Sequence, residues 1–342
     1  MKNVFTRTIV VLLIALFLVP GVLLAQGARE TAGERHAFIF KSTGNPFGER
    51  LMDGFREGIE EQGHQAILRA PDLPTAEAQI QIVEQLIAQN VDSISLAAND
   101  YDALEPVLRN ARNAGIPVLT ADSNTNPASR SVFINQADSE MIGRTLIQAA
   151  YDMIGGSGQI AILSATSQAA NQNLWIEWMQ EELKESRYDD MELVRIAYGD
   201  DLRDKSVAET EALLRSYPDL KCIIAPTTVG IAAASLVVTD NDLIGDVFIT
   251  GLGLPSEMAE YIHNGACPYM FLWNPIDLGY LTAFAAGAVS SGAMTGAVGD
   301  TFDAGRLGSF EVVQAADGGT EVLLGSPFKF DADNIDDWKT VY

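Results

Sequence analysis

Short apolar runs alternate with amphipathic helical stretches from residue 36 onward, and this alternation limits the possible folds more than any other feature. In the stretch 76–90, for example, Ile80, Val83 and Leu86 recur at the three- and four-residue spacing of one helix face. Each such stretch is flanked by a short apolar run with the length and composition of a buried strand. The series occurs twice along the chain. The sequence therefore predicts an α/β fold of two doubly wound lobes, each built on a parallel sheet.

The first 28 residues have the pattern of a secretory signal peptide. Lys2 and Arg7 precede an apolar stretch, 9–25, which Pro20 interrupts. A retained membrane anchor is the alternative, but this stretch is barely long enough to span a bilayer. No Cys lies directly after the apolar stretch, which argues against a lipid-anchored form. We therefore expect residues 1–28 to be a cleaved signal peptide and the mature chain to reach the periplasm.

The charge of the chain excludes several classes of partner. The net charge is −24 at pH 7, whereas binding to nucleic acid requires clustered Lys and Arg. The same charge argues against an anionic membrane surface and against an acidic ligand. Apolar residues make up 47% of the chain and charged residues 20%, which is typical of a well-packed globular protein. We expect a monomer that binds no nucleic acid.

The two cysteines, Cys222 and Cys267, leave two possibilities open. Export permits a disulfide bond between them. Each cysteine opens a separate predicted strand, however, and a disulfide requires closely placed Cα atoms. Two buried free thiols are the favoured interpretation.

Polar side chains follow nearly every predicted strand in both lobes. In an open parallel sheet, ligands bind beyond the carboxyl ends of the strands. Amides, hydroxyls and carboxylates dominate these positions, and such groups bind the adjacent hydroxyls of a neutral sugar in pairs. An aromatic ring among them suits the apolar face of a sugar ring. The candidate ligand-binding residues are Lys41, Asn45, Phe47, Asn99, Asp122, Asn171, Gln172, Thr227, Thr228, Gly253 and Asn274.

Each candidate also has a purely structural interpretation. Asp122 opens a run of turn-forming residues, and on position alone a turn role is as plausible as a ligand role. Asn274 suits the N-cap of the predicted helix 275–290, and Thr227 and Thr228 suit the cap of the helix after their strand. Phe47 could be core and Lys41 a surface cation. The repetition of polar groups after the strands favours a binding site.

Motifs of catalysis and of cofactor binding are absent from the sequence. The segment 251–256 begins like a dinucleotide-binding fingerprint but lacks its third glycine and contains a proline. The three histidines are far apart in the sequence, without metal-ligand spacing, and no nucleophile elbow or Cys–His pair is present. The acidic pairs 189–190 and 200–201 are predicted to be solvated loop residues. We therefore expect a binding protein that is not an enzyme and that uses no cofactor or metal.

Several strings of residues resemble known families. Asn45-Pro46-Phe47 after the first strand and Asp122 after the fourth are similar to the type I periplasmic sugar-binding proteins, which include the ribose-binding proteins. The strings 162–176, 198–206, 225–230, 250–259 and 273–280 more closely resemble the rhamnose-binding proteins of ABC importers. The likeness covers most of the second lobe and, more loosely, the first.

The autoinducer-2 (AI-2) binding proteins have the same layout, and the comparison with them bears on the ligand. Lys41, Asp122, Gln172 and Pro226 match those proteins as they stand, and this resemblance makes Pro226 the twelfth candidate ligand-binding residue. They carry an aspartate at the position of Asn171 and Asp-Ala at the position of Thr227-Thr228, so this chain departs from them there. The resemblance therefore favours rhamnose. AI-2, another deoxyhexose or a pentose remains the alternative, with a role in uptake or in chemotaxis signalling.

What the resemblance implies is a hinged, two-lobed receptor that closes on a small neutral sugar. The chain would cross three times between the lobes, in the manner of periplasmic binding proteins of type I. The N-terminal lobe would comprise 35–135 plus 275–307, and the C-terminal lobe 136–274 plus 308–342. The closed receptor would deliver its sugar to an ABC permease in the inner membrane.

Overall fold

The computed structural model describes residues 33–342, so the predicted signal peptide, 1–28, lies outside the described residues. Within this part of the chain, no helix is both long and apolar enough to cross a membrane. The helices are α1 (Pro46–Glu61), α2 (Ala76–Ala88), α3 (Glu105–Asn113), α4 (Ser139–Ile154), α5 (Ala170–Glu182), α6 (Arg203–Ser216), α7 (Thr228–Asp240), α8 (Pro255–Asn264), α9 (Pro275–Ser290) and α10 (Ile335–Trp338). The strands are β1 (Arg35–Ile39), β2 (Gln65–Arg69), β3 (Ser93–Leu96), β4 (Val118–Ala121), β5 (Val132–Asn135), β6 (Gly158–Ser164), β7 (Met191–Tyr198), β8 (Leu220–Ala225), β9 (Phe248–Gly251), β10 (Tyr269–Leu272), β11 (Thr301–Asp303), β12 (Ser309–Glu311), β13 (Val313–Gln314), β14 (Thr320–Leu323) and β15 (Phe328–Asp331).

The first sheet contains seven strands in the order β13-β14-β5-β4-β3-β1-β2. Its strand pairs are parallel except for β13 with β14. All side chains of β3, β4 and β5 are buried, as expected of parallel strands that helices cover on both faces. Alternate residues of β1 and β4 pack into two hydrophobic cores, one on each face of the sheet. Phe38 and Leu119 lie in one core, and Ile39 and Val118 lie in the other.

The second sheet contains four parallel strands in the order β7-β6-β8-β9. Its central strands carry the buried residues Ile160, Ile162 and Ile223. Strand β10 continues beyond β9 through a single parallel bridge between Leu252 and Phe271, and it pairs antiparallel with β15. The predicted fold class, two doubly wound lobes with parallel sheets, is confirmed.

One assignment of chain to lobe needs correction. Residues 308–342 were all expected in the C-terminal lobe, but β14 pairs in parallel with β5 and extends the first sheet. Val322 lies opposite Ile134 and is fully buried in that sheet's core, and β13 adds an antiparallel edge. The chain then returns to the second lobe, where β15 pairs with β10. A short apolar pattern such as that of β14 indicates a strand, but it does not specify the strand's partner.

Both cysteines lie in the core around the second sheet. Cys222 and Cys267 are buried free thiols, as the sequence favoured. Burial raises the pKa of both thiols, because the apolar surroundings disfavour the thiolate.

Helices α1 and α9 pack backbone against backbone, and their glycines make this possible. A Cβ atom on Gly279 would lie 1.9 Å from the carbonyl oxygen of Leu51 and 2.7 Å from the nitrogen of Phe55. A Cβ atom on Gly54 would lie 1.9 Å from the carbonyl oxygen of Ile276. Helix α9 also packs against β1, β3, β4 and β5. The contact between α1 and α9 therefore holds α9, which follows the second sheet in the chain, against the first sheet.

We expect Gly279→Ala to lower the free energy of unfolding by about 1–3 kcal/mol, because the added methyl group forces two helix backbones apart. Gly287→Ala is the matched control in the same helix. Its Cβ would come nearest to Oε1 of Gln62, at 2.2 Å, which is a side-chain atom, so relief costs at most the bonds from Nε2 to the carbonyls of Gly58 and Ala283 and does not separate the backbones. Urea titration followed by circular dichroism measures both variants. Equal losses in the two would contradict the role assigned to the backbone contact.

Candidate functional site

A cavity lies between the two sheets, at the carboxyl ends of their strands. It comprises about 370 Å³ of space, including the open solvent at its mouth. Nine of the twelve predicted ligand-binding residues line it: Lys41, Asn45, Phe47, Asp122, Asn171, Gln172, Pro226, Thr227 and Thr228. Six further residues complete the wall: Phe40, Trp175, Asp201, Leu252, Leu272 and Trp273.

Three polar side chains from the two lobes bind one another in a ring, which we call the polar ring. Nζ of Lys41 lies 2.9 Å from Oδ2 of Asp122, and both side chains are more than 90% buried. Asn171 joins them from the other lobe: its Oδ1 accepts from Lys41 at 3.3 Å and its Nδ2 donates to Asp122 at 3.3 Å. The polar ring therefore links the first lobe to the first turn of α5.

The backbone at Asp122 directs its carboxylate into the cavity. Asp122 directly follows β4 and has a φ of 62°, in the left-handed region that Asp and Asn tolerate better than most residues. A bridge between Ala121 and Ser123 closes the turn around it. Asp122 therefore has both roles: it forms the turn and it lines the cavity.

Gln172 and Thr227 are held by neighbours within the second lobe. Oε1 of Gln172 accepts from Oγ of Ser164 and from the backbone nitrogen of Ala165, each at 2.7 Å. With its oxygen held in this way, the amide keeps a fixed orientation at the cavity wall. The hydroxyl of Thr227 donates to Asp201, so it makes no side-chain cap on α7.

Asp201 corrects a prediction from the sequence, which treated 200–201 as a solvated pair. Asp201 lines the cavity, and burial raises the pKa of its carboxyl group, while the Thr227 hydrogen bond and Lys41 act in the opposite sense. Asp200, by contrast, forms an ion pair with Lys205 away from the cavity. The signal was available, because Asp201 lies in the loop at the carboxyl end of β7, three residues after Tyr198.

Aromatic rings form the apolar part of the wall. Phe47 and Trp273 meet edge to face with ring centroids 6.1 Å apart, and Trp175 and Trp273 do so at 5.8 Å. The indole Nε1 atoms of Trp175 and Trp273 are buried and have no hydrogen-bond partner in the part of the chain that the structure describes. Neither tryptophan was among the predicted ligand-binding residues. Trp273 follows β10, and Trp175 lies one helical turn after Asn171 on α5.

Three predicted residues do not line the cavity and have structural roles instead. Nδ2 of Asn99 donates to the carbonyl of Lys41 at 2.9 Å, which supports the backbone of a cavity residue. Gly253 packs so closely that an added Cβ would lie 2.4 Å from Sδ of Met270. Asn274 caps α9 by accepting from the backbone nitrogen of Ile276 at 2.9 Å. Asn45 both lines the cavity and caps α1, through Gly48.

This arrangement is suited to a small, neutral, hydroxyl-rich molecule. The lining offers donors and acceptors in similar number, and its one lysine is already paired with a carboxylate. Each hydroxyl of such a ligand both donates and accepts, so it can satisfy indole N–H groups, amides and carboxylates together. The aromatic wall covers apolar faces.

Several known proteins are similar to this chain. An ABC transporter solute-binding protein from Clostridium phytofermentas, solved with bound L-rhamnose, is 47% identical with a TM-score of 0.89, and the match covers 91% of this chain and 99% of that one. LsrB from Clostridium saccharobutylicum, solved in complex with AI-2, shares the fold at 23% identity and a TM-score of 0.84, over 89% of this chain and 99% of that one.

A curated relative matches over a shorter length. The D-ribose/D-allose-binding protein of Pseudomonas aeruginosa is 26% identical over 203 residues, which is 56% of this chain and 61% of that protein. The match thus spans less than two thirds of that relative.

The family itself follows from a match that covers most of the chain. Residues 36–294 fit the model of a periplasmic binding protein domain, and this range includes every residue that lines the cavity. The chain belongs to the periplasmic binding protein family.

Proposed function

We propose that this chain is the sugar-binding receptor of an ABC importer and that its ligand is L-rhamnose. The observation that carries the proposal is the cavity between the lobes, in a chain that is 47% identical to a solute-binding protein solved with L-rhamnose. Nearly the whole of that protein, 99%, is covered by the match.

The chemistry of the wall supports a deoxyhexose. Rhamnose carries a methyl group in place of one hydroxymethyl group, so it needs an apolar contact as well as polar ones. Phe40, Leu252 and Leu272 supply apolar surface in the cavity. Burying a methyl group of this kind contributes on the order of 0.8 kcal/mol, and a hydrogen bond to a charged group about 1.5–3 kcal/mol. Polar contacts therefore provide most of the affinity, and the apolar wall distinguishes a deoxy sugar from its hydroxylated analogue.

Closure of the lobes is the step that would make the receptor recognisable to a permease. The polar ring spans the cleft, with Lys41 and Asp122 from one lobe and Asn171 from the other. A sugar that contacts both lobes binds the closed form better than the open form, and the difference shifts the equilibrium toward closure. The expected partner is the permease of an ABC importer in the inner membrane.

The remaining parts of the proposal concern the cellular setting. Residues 1–28 would act as a cleaved signal peptide that directs the chain to the periplasm. The receptor would act as a monomer and, with a net charge of −24, would bind no nucleic acid. The alternative ligand is AI-2 or another deoxyhexose or pentose, for uptake or chemotaxis signalling.

The ligand is tested by isothermal calorimetry of the mature protein against L-rhamnose, L-fucose, D-ribose, D-allose and AI-2. We expect L-rhamnose to bind most tightly, because the cavity combines apolar surface with paired polar groups. Tighter binding of AI-2 would establish the alternative instead. Absence of heat with every ligand of the panel would contradict the receptor function itself.

The role of Asp122 is tested by Asp122→Asn, which keeps the side-chain shape and tolerates the positive φ. We expect the dissociation constant for rhamnose to rise by about tenfold to a hundredfold, because a charged acceptor and the partner of Lys41 are lost. Asp200→Asn is the matched control, since Asp200 has a similar φ of 55° but lies outside the cavity wall. Calorimetry measures affinity, and thermal unfolding shows that both variants are folded. Normal affinity in Asp122→Asn would leave Asp122 with a turn role alone.

Asp201 generates a prediction on stability and pH. Because burial raises the pKa of Asp201 in the folded protein, the folded state holds a proton that the unfolded chain has already released. Between those two pKa values the free energy of unfolding falls as pH rises, so ionised Asp201 destabilises the fold at neutral pH. Asp201→Asn should therefore raise Tm at pH 7, and the gain should vanish in acid. The same variant should weaken rhamnose binding. If Asp201→Asn and the unmodified protein have the same Tm at every pH, burial of the ionised carboxylate does not destabilise the fold.

A further inference from the structure

A second cavity, which we call the vestibule, adjoins the sugar cavity. It comprises about 930 Å³ of space, including open solvent, and both lobes contribute to its wall. Asp122 and Asn171 line both cavities, so their hydrogen bond forms part of the partition between them. At 3.3 Å this bond is long, and hydroxyls of a ligand could replace it at little cost.

One face of α5 runs from the sugar cavity along the vestibule. Asn171, Leu174 and Trp178 all line the vestibule, at the spacing of neighbours on a helix face. From Asn171 to Trp178 the helix rises by about 10 Å, which extends the wall well beyond a single bound ring. Leu174 is exposed despite its apolar side chain, and the guanidinium of Arg144 lies over the ring of Trp178 at 5.3 Å. This face offers apolar and aromatic surface to a ligand.

The vestibule also contains a buried polar group without a partner. Gln136 is 1% exposed, and its Oε1 has no hydrogen-bond partner within residues 33–342. An unsatisfied buried acceptor costs about 1–3 kcal/mol, so a ligand that donates to it gains this free energy. Tyr101 and Phe133 add further aromatic surface to the wall.

Five carboxylates and no cationic side chain line the vestibule, which argues against an anionic occupant. Nη2 of Arg130 lies 2.9 Å from Oδ2 of Asp317. Nε of Arg144 lies 2.8 Å from Oε1 of Glu140, so these two carboxylates are already paired. Glu321 accepts a hydrogen bond from Asn135 at 2.9 Å, and burial raises the pKa of its carboxyl group. Aromatic surface together with amides and paired carboxylates is the same chemistry that lines the sugar cavity.

We propose that the vestibule is a subsite for a second sugar ring, so that the receptor takes rhamnose-containing disaccharides as well as the monosaccharide. This rests on the proposed function, in which the first ring occupies the sugar cavity. The second ring lies along Leu174 and Trp178, and one of its hydroxyls donates to Gln136. The Asn171–Asp122 bond opens to let the glycosidic linkage pass.

The test is calorimetry of the full mature chain with L-rhamnose, methyl L-rhamnoside and a panel of rhamnose disaccharides. In the panel, each hydroxyl oxygen of rhamnose in turn carries the second sugar. We expect at least one disaccharide to bind about tenfold more tightly than rhamnose, because the second ring adds contacts of its own. Trp178→Ala and Gln136→Met should each remove most of that tenfold gain and leave the affinity for rhamnose within about twofold. Glu177→Ala, an exposed neighbour on the same helix, is the matched control and should change neither affinity.

The outcomes separate the two proposals. A protein that binds no rhamnose and no disaccharide contradicts the proposed function. A protein that binds rhamnose but binds every disaccharide more weakly overturns the vestibule subsite and leaves the function intact. Equal losses for rhamnose and disaccharide in Trp178→Ala also overturn the subsite, because they assign Trp178 a structural role.

Discussion

The ion pair between Lys41 and Asp122 is the contact on which the cleft between the lobes depends. Both side chains are more than 90% buried, and removing two charges from water costs several kcal/mol per ion unless hydrogen bonds replace the lost water. Asn171 supplies one such bond to each partner from the opposite lobe. Bringing the lobes together therefore also completes the hydrogen bonding of the pair. When the lobes separate, water can take the place of Asn171 beside Lys41 and Asp122. The two charges therefore have hydrogen-bond partners in both the open and the closed cleft.

The fold delivers these groups to one place through its strand ends and helix starts. Asp122 and Asp201 each follow a strand and adopt a left-handed backbone conformation, which costs about 1–2 kcal/mol for most residues and less for Asp. Asn171 and Gln172 lie in the first turn of α5, where the free N–H of Gln172 donates to Oδ1 of Asn171, while Ser164 and Ala165 at the end of β6 hold Oε1 of Gln172. The strained turns direct carboxylates inward, and the helix starts hold the amides opposite them.

Most of the fold and much of the cavity could be predicted from the sequence, because both follow from local patterns. Apolar periodicity located the strands and helices, and the rule on carboxyl ends located Lys41, Asp122 and Asn171. The same rule failed for Asn274, whose side chain caps a helix, because sequence position does not give side-chain direction. Strand β14 was placed in the wrong lobe because pairing partners depend on tertiary structure. Asp201 was missed because a pair of acids in a loop does not reveal which one lines the cavity, whereas Asp200 pairs with Lys205 instead.

The unpartnered indole N–H groups of Trp175 and Trp273 explain how ligand binding can control closure. Each is buried in the cavity wall, and an unsatisfied buried donor costs about 1–3 kcal/mol. A closed cleft without ligand bears this cost, whereas a sugar hydroxyl that accepts from an indole removes it. Where opening of the lobes lets water reach these indoles, the cost falls on the closed, ligand-free form alone. Because a ligand shifts an equilibrium only by its differential affinity for the two forms, these donors make closure conditional on the sugar. Aromatic rings that at first appear to be only apolar wall thus contribute to the switch between the open and closed receptor.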